Sequence, residues 1–265
     1  MESSDTTGGL LRDWRRRRRF SQLDLAAEAE VSTRHLSFVE SGRASPSREL
    51  LLRLARPLNM PPRETNRLFL AAGYAPLHPE RPLDAPDMAA AKLAVEQVLK
   101  AHEPYPALAV DRHWNLVSAN AALPPILAGV APHLLAPPLN VLRVSLHPEG
   151  LAPRIVNLAE WRHHILTRLY AEWETSGDTA LAALHAELKA LPFAPGRKPH
   201  GQVNAVAVPL VLRDKVSEAP MSFLSTTTVF GTATDVTLAE LTLECFYPAD
   251  DATRRMLLHQ DGEHA

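Results

Sequence analysis

A single cysteine, Cys245, stands among 265 residues, so no intrachain disulfide can form and a thiolate metal cluster has too few ligands. Glycine is sparse, eleven in all, and none builds a phosphate-binding loop or a dinucleotide turn. A nucleophile elbow and an HExxH zinc motif are also missing. Without such a constellation, the expectation is a protein that is not an enzyme and needs neither metal nor cofactor. No apolar run approaches the roughly 20 residues of a membrane helix. The opening MESSDTTGG has no apolar signal-peptide core. A soluble cytoplasmic protein without a membrane partner is expected.

What is present is a globular composition, 46% hydrophobic and 22% charged, long enough for one large or two ordinary domains. The net charge of −2 conceals a split. Residues 9–74 carry thirteen arginines against seven acids, whereas residues 75–265 carry fifteen basic residues against twenty-one acids. Only the front of the chain is therefore suited to a polyanion.

Four prolines in Ala75–Pro86 mark the best boundary, because proline is excluded from helix and sheet interiors. Ahead of it, Ser21, Ser32 and Ser45 sit at helix starts, with Pro46 expected at a first helical position. Behind it, a helix is expected over 88–101, then a hairpin of 107–110 and 116–119. Helices follow at 158–176, with Asn157 as N-cap, and at 179–191. The β-rich runs 204–212, 221–230 and 236–246 come next, and a last helix spans 250–258.

The window Gln22–Glu40 fits two short helices meeting at a tight turn. Ser21 and Asp24 form a capping box, Ala26 allows close approach, and Leu25, Ala29, Val31, Leu36 and Val39 fill the angle. Gly42 ends the second helix, and Pro57 should kink or end the helix after it. In SQLDLAAEAEVSTRHLSFVESGRASPSRELLLRLA and NRLFLAAGYAP, the chain resembles the Cro/repressor-type (XRE) helix-turn-helix domain. The turn position usually held by glycine is here Glu30, which must adopt a left-handed backbone.

The resemblance implies that Gln22 holds a phosphate while Thr33, Arg34, Ser37 and Phe38 face the major groove. It places Ser32, His35 and Arg43 against the DNA backbone. Two half-sites read by a homodimer are the expected double-stranded DNA target. The run Arg15–Arg19 sweeps about 400° on a helix, so its members cannot share one face. By resemblance Arg15 pairs with Glu40, leaving Arg16 to Arg19 exposed toward phosphate.

Residues 104–247 resemble the MmyB-like regulator ligand-binding domain, which is similar to PAS domains. The likeness rests on YPALAVDRHWNLVSANA, NVLR, HPEGLAPRIVNLAEWR and DVTLAEL. It implies helices packed on one face of a five-stranded antiparallel sheet. It also implies a buried pocket for a small apolar ligand, with long-chain fatty acids the class linked to some relatives. Candidate lining residues are Leu142, Arg143, Trp161, Ile165, Leu169, Val208, Phe223, Phe230 and Phe246. A carboxylate anchor could come from Arg143, Arg154, Asn157, Arg162, His163, His164 or Arg168. Adjacent His163 and His164 point about 100° apart, so they are not a zinc pair, and Cys245 reads as a small buried hydrophobe.

The expected whole is an α+β chain. A tail of 1–8 precedes an all-α, five-helix DNA-binding domain of 9–75. A linker of 76–87 then leads to a PAS-like sensory domain of 88–260. The alternative keeps DNA binding and makes the rear domain a ligand-free dimerisation or protein-interaction module.

Overall fold

The computed structural model describes residues 6–192, 208–231 and 233–262. It divides into two compact units: Met1–Arg81 with Thr232–Ala239, and Pro82–Gly231 with Glu240–Ala265.

The first unit holds α1 (Thr7–Arg17), α2 (Gln22–Glu28), α3 (Thr33–Glu40), α4 (Arg48–Ala55) and α5 (Pro62–Ala71). Leu11, Leu25, Leu36, Leu51, Leu54, Leu68 and Phe69 are its fully buried centre. Side-chain caps set four of the five helix starts. Thr6 accepts from the Gly9 N–H, Ser21 and Asp24 complete a reciprocal box, and Ser32 accepts from the His35 N–H. The start of α4 differs from expectation: Ser47, not Ser45, is its cap, and Pro46 is buried ahead of the helix. Thr7 and Gly8, expected in the tail, are the first residues of α1, and residues 1–5 of that tail lie outside the described residues. A Cβ on Gly8 would lie 2.5 Å from the Glu40 carbonyl oxygen, so only glycine lets α1 approach the end of α3 so closely.

Glu30 is left-handed at φ 53° and exposed. A side chain in that region costs about 1–2 kcal/mol, partly offset in glycine by its greater loss of chain entropy. Glu30→Gly should therefore raise the melting temperature by a few degrees, and a fall would show that Glu30 contributes a contact that outweighs the strain.

The first half of the Pro-rich segment is anchored. The Asn66 side chain accepts from the N–H groups of Leu77 and His78 and donates to the His78 carbonyl. Arg81 donates to Asp235 at 2.8 Å, and the Val236 N–H to the Pro79 carbonyl.

The second unit begins with α6 (Ala89–Ala101) and the hairpin β1 (Ala107–Val110) and β2 (Leu116–Ala119). Short helices α7 (Leu123–Ile126), α8 (Pro132–Leu135) and α9 (Val141–Leu146) follow. Two long ones come next, α10 (Leu158–Ser176) and α11 (Thr179–Ala190). The unit is completed by β3 (Leu210–Arg213), β4 (Pro220–Val229), β5 (Thr242–Pro248) and α13 (Asp251–Gly262), while α12 (Val236–Ala239), between β4 and β5 in the chain, belongs to the first unit. The sheet is five-stranded and antiparallel, in the order β2-β1-β5-β4-β3.

Three expectations are corrected here. The run 236–246 is not one strand: Asp235 accepts from the Thr237 N–H and caps α12, so β5 starts only at Thr242. Of the run 204–212, residues 204–207 lie outside the described residues and the strand begins at Leu210. Helices are not confined to one face. Leu108 and Val110 of β1 join the core shared with α9 and α10. Ala107 and Ala109 are equally buried and, by alternation, face the other side, where α6 packs on β1. No helix among the described residues is long and apolar enough to cross a membrane.

Candidate functional sites

In the first unit the first and second helices are both braced against Glu40 at the end of the third. The Arg15 guanidinium donates from Nε to Glu40 Oε1 at 2.6 Å and from Nη2 to Oε2 at 2.9 Å, while Nη1 reaches the Phe20 carbonyl. Arg12 adds a bond to the Glu40 backbone carbonyl at 2.7 Å. Burial raises the Glu40 carboxyl pKa, but the bonds from Arg15 and Gln22 outweigh it and hold the group below its ordinary value. Arg15 is held above its own ordinary value by the same pair.

Gln22, expected at a phosphate, is half-buried and donates its amide Nε2 to Glu40 Oε2 at 2.8 Å. Nor is the arginine run uniform beyond Arg15. Arg18 is half-buried and donates to the carbonyls of Leu58 and Asn59. Arg17 lies over the Trp14 ring at 5.0 Å, and Arg16 and Arg19 are exposed.

On α3, Arg34 and His35 are exposed, and Thr33, Ser37 and Phe38 are half-buried. The Arg34 guanidinium sits over the Phe38 ring at 5.4 Å, a cation–π contact that limits its rotamers before any DNA is met. Ser32 is exposed with its hydroxyl oxygen accepting the cap bond, and Arg43 is exposed just past left-handed Gly42.

The second unit contains a cavity of about 110 Å³ between the sheet and α7, α9 and α10. Of the sequence candidates, Leu142, Trp161, Ile165, Phe223 and Phe246 line it. Leu169 is fully buried in the surrounding core without lining the cavity, Val208 packs at the edge of that core, and Phe230 is half-buried elsewhere.

The seven candidate anchors separate cleanly. Arg143 lies outside the cavity in a two-pronged bond with Glu187, at 2.6 and 2.8 Å. Arg154 donates to the carbonyls of Arg213, Ile126 and Ala128, and Arg162 to those of Leu188 and Lys189. Asn157 does not cap α10 with its side chain. It instead accepts from the Val211 N–H and donates to the Pro209 carbonyl, which pins β3 to the helix start. His163 does not line the cavity, whereas His164 and Arg168 do. Burial and then Arg168 lower the His164 pKa, which favours the neutral imidazole.

The polar end of the cavity is a network that the sequence reading missed. Arg168 donates to Glu244 Oε1 at 2.7 Å and to Glu172 Oε1 at 3.1 Å, and lies 4.4 Å above the Trp114 ring. Burial acts against its charge, but Glu244 and Glu172 overcompensate and raise its pKa. Trp114 donates its indole N–H to Glu172 Oε2 at 2.8 Å. It reaches this place because the Asp111 carboxylate accepts from the N–H groups of His113 and Asn115 and folds the hairpin tip, leaving Trp114 left-handed at φ 66°. One signal was available: Glu244 is a lone acid in the apolar strand Leu243-Glu-Cys-Phe246.

A helical unit with an exposed, capped α3 and an α+β unit with an internal apolar cavity are the parts of a DNA-binding regulator with a ligand-binding domain. Comparison with protein families agrees. Residues 7–68 match the helix-turn-helix domain, and residues 91–258 match the MmyB-like transcription regulator ligand binding domain. The second match covers more than half of the chain, which therefore belongs to the MmyB-like transcription regulators. A search of curated protein sequences finds no match.

Proposed function

We propose that this regulator binds paired DNA half-sites as a homodimer, reading bases through an XRE-type α3, and that its PAS-like unit senses a small apolar molecule. Ligand occupancy then biases how two DNA-binding units are presented to the half-sites. The observation that carries the sensing role is the apolar cavity with a polar cluster at one end, the usual composition of a small-molecule site. Long-chain fatty acids, the class that the resemblance implies, have the required apolar body. The cavity is smaller than the roughly 300–1,000 Å³ of drug-sized ligand pockets, so a long acyl chain would enter only by displacing the lining.

The sensing role is tested by extracting the purified full-length protein with solvent and searching the extract by mass spectrometry. A stoichiometric apolar molecule supports it. An empty extract, together with no thermal shift across apolar compounds, favours the ligand-free module instead.

The DNA role makes a separate prediction. Arg34→Ala should cost about 1–3 kcal/mol at one base position and relax the preference there. Arg43→Ala should weaken all sequences alike and lower the salt slope by about one. Binding-site selection with both variants decides, and an unchanged preference in Arg34→Ala removes Arg34 from base reading.

A further inference from the structure

The geometry points to a ligand whose head group donates hydrogen bonds, a protonated amine or a hydroxyl, rather than one that presents a carboxylate. This rests on the sensing role proposed above and narrows it to a head-group chemistry.

The argument begins with Glu244. It is only 5% exposed and lines the cavity, yet both of its hydrogen bonds, from Arg168 Nη2 and Thr227 Oγ1, fall on Oε1. Oε2 accepts none from the described residues. No described side-chain nitrogen or oxygen is both fully buried and unpartnered, so Oε2 is not sealed off, and it is free to accept from a donor arriving in the cavity. Ser225, on the neighbouring strand β4, also lines the cavity and adds a hydroxyl that can accept.

Arg168 does not reverse this preference. Its single positive charge is already shared between two carboxylates, Glu244 in the cavity lining and Glu172 outside it, so the cluster around Arg168 carries a surplus negative charge. An entering carboxylate would be a third anion around one guanidinium, with Glu244 Oε2 still unpaired. Like charges brought together in a buried site are strongly disfavoured. A protonated amine instead neutralises the surplus and donates to Oε2, while a hydroxyl supplies the donor alone. A fatty acid meets the same requirement only in its protonated form.

The test compares 1-aminodecane, 1-decanol and decanoate, three heads on one apolar tail, at neutral pH. Each is titrated into the full-length protein by calorimetry, with fluorescence of cavity-lining Trp114 and Trp161 as a second readout. The expected order is amine, then alcohol, with decanoate weaker than the amine by about tenfold or more. Glu244→Gln removes the surplus charge and should collapse that ratio to within a few-fold. If decanoate binds best to the wild type, the head-group inference is overturned while sensing stands. If none of the three binds, the sensing role falls and this inference with it. A wild-type ratio that persists unchanged in a folded Glu244→Gln removes Glu244 as its cause. Should that variant fail to fold, the wild-type order alone decides.

Discussion

Replacing Glu40 by alanine should destabilise the DNA-binding unit by about 3–5 kcal/mol, the loss typical when one member of a buried ion pair is removed. Glu40 has a side chain only 1% exposed and Arg15 one 11% exposed. Truncation leaves the Arg15 guanidinium in the interior with only the Phe20 carbonyl, and it also strips Gln22 of its acceptor. Urea unfolding followed through buried Trp14 measures the effect, and a loss below about 1 kcal/mol would show that water reaches Arg15. The pair is not a net gain over apolar packing by necessity. A double replacement, Arg15→Met with Glu40→Leu, should be less harmful than either single change.

The same pair predicts a pH dependence. Glu40 titrates below its ordinary value when folded, so its contribution is present above about pH 4.3, the ordinary carboxylate value. It is lost as pH falls through the lowered folded value. Glu40→Gln should flatten the acid limb of the stability curve, and an unchanged limb would assign it to other carboxylates.

Leu169→Ala should cost about 2–5 kcal/mol in the second unit. Leu169 is 0% exposed and packed on all sides within the main core. Leu142→Ala is expected to cost less, although the residue is nearly as buried, because Leu142 already borders a void and loses fewer contacts. Equal losses in chemical denaturation would mean that the cavity closes in solution. Neither change touches the polar end, so the order of amine, alcohol and carboxylate should survive both.

Much of this molecule was legible along the chain. The caps at Ser21 and Ser32, the apolar spacing of 22–40, left-handed Glu30 and the end of α4 ahead of Pro57 are local effects, set by residues within a few positions of one another. The hairpin and the strand at 220–229 were readable for the same reason. Less legible were the bonds that a side chain makes to a distant partner. Gln22 donates to Glu40, eighteen residues on, and Arg18 is half-buried because the carbonyls of Leu58 and Asn59 lie within reach. Asn157 is the N-cap residue of α10, as expected, but its side chain bonds to β3 and not to the helix.

The sequence by itself determined that a basic helix-turn-helix unit precedes an apolar, strand-rich unit, since composition, caps and periodicity are properties of neighbouring residues. It could not decide which of seven polar residues face the cavity. That choice depends on strand register and helix rotation, which bring Arg168, Glu172 and Glu244 together across 76 positions of chain. Charge balance at the polar end is likewise a sum over distant groups. Tertiary packing alone turned an arginine that looked like a carboxylate anchor into one already held by two carboxylates.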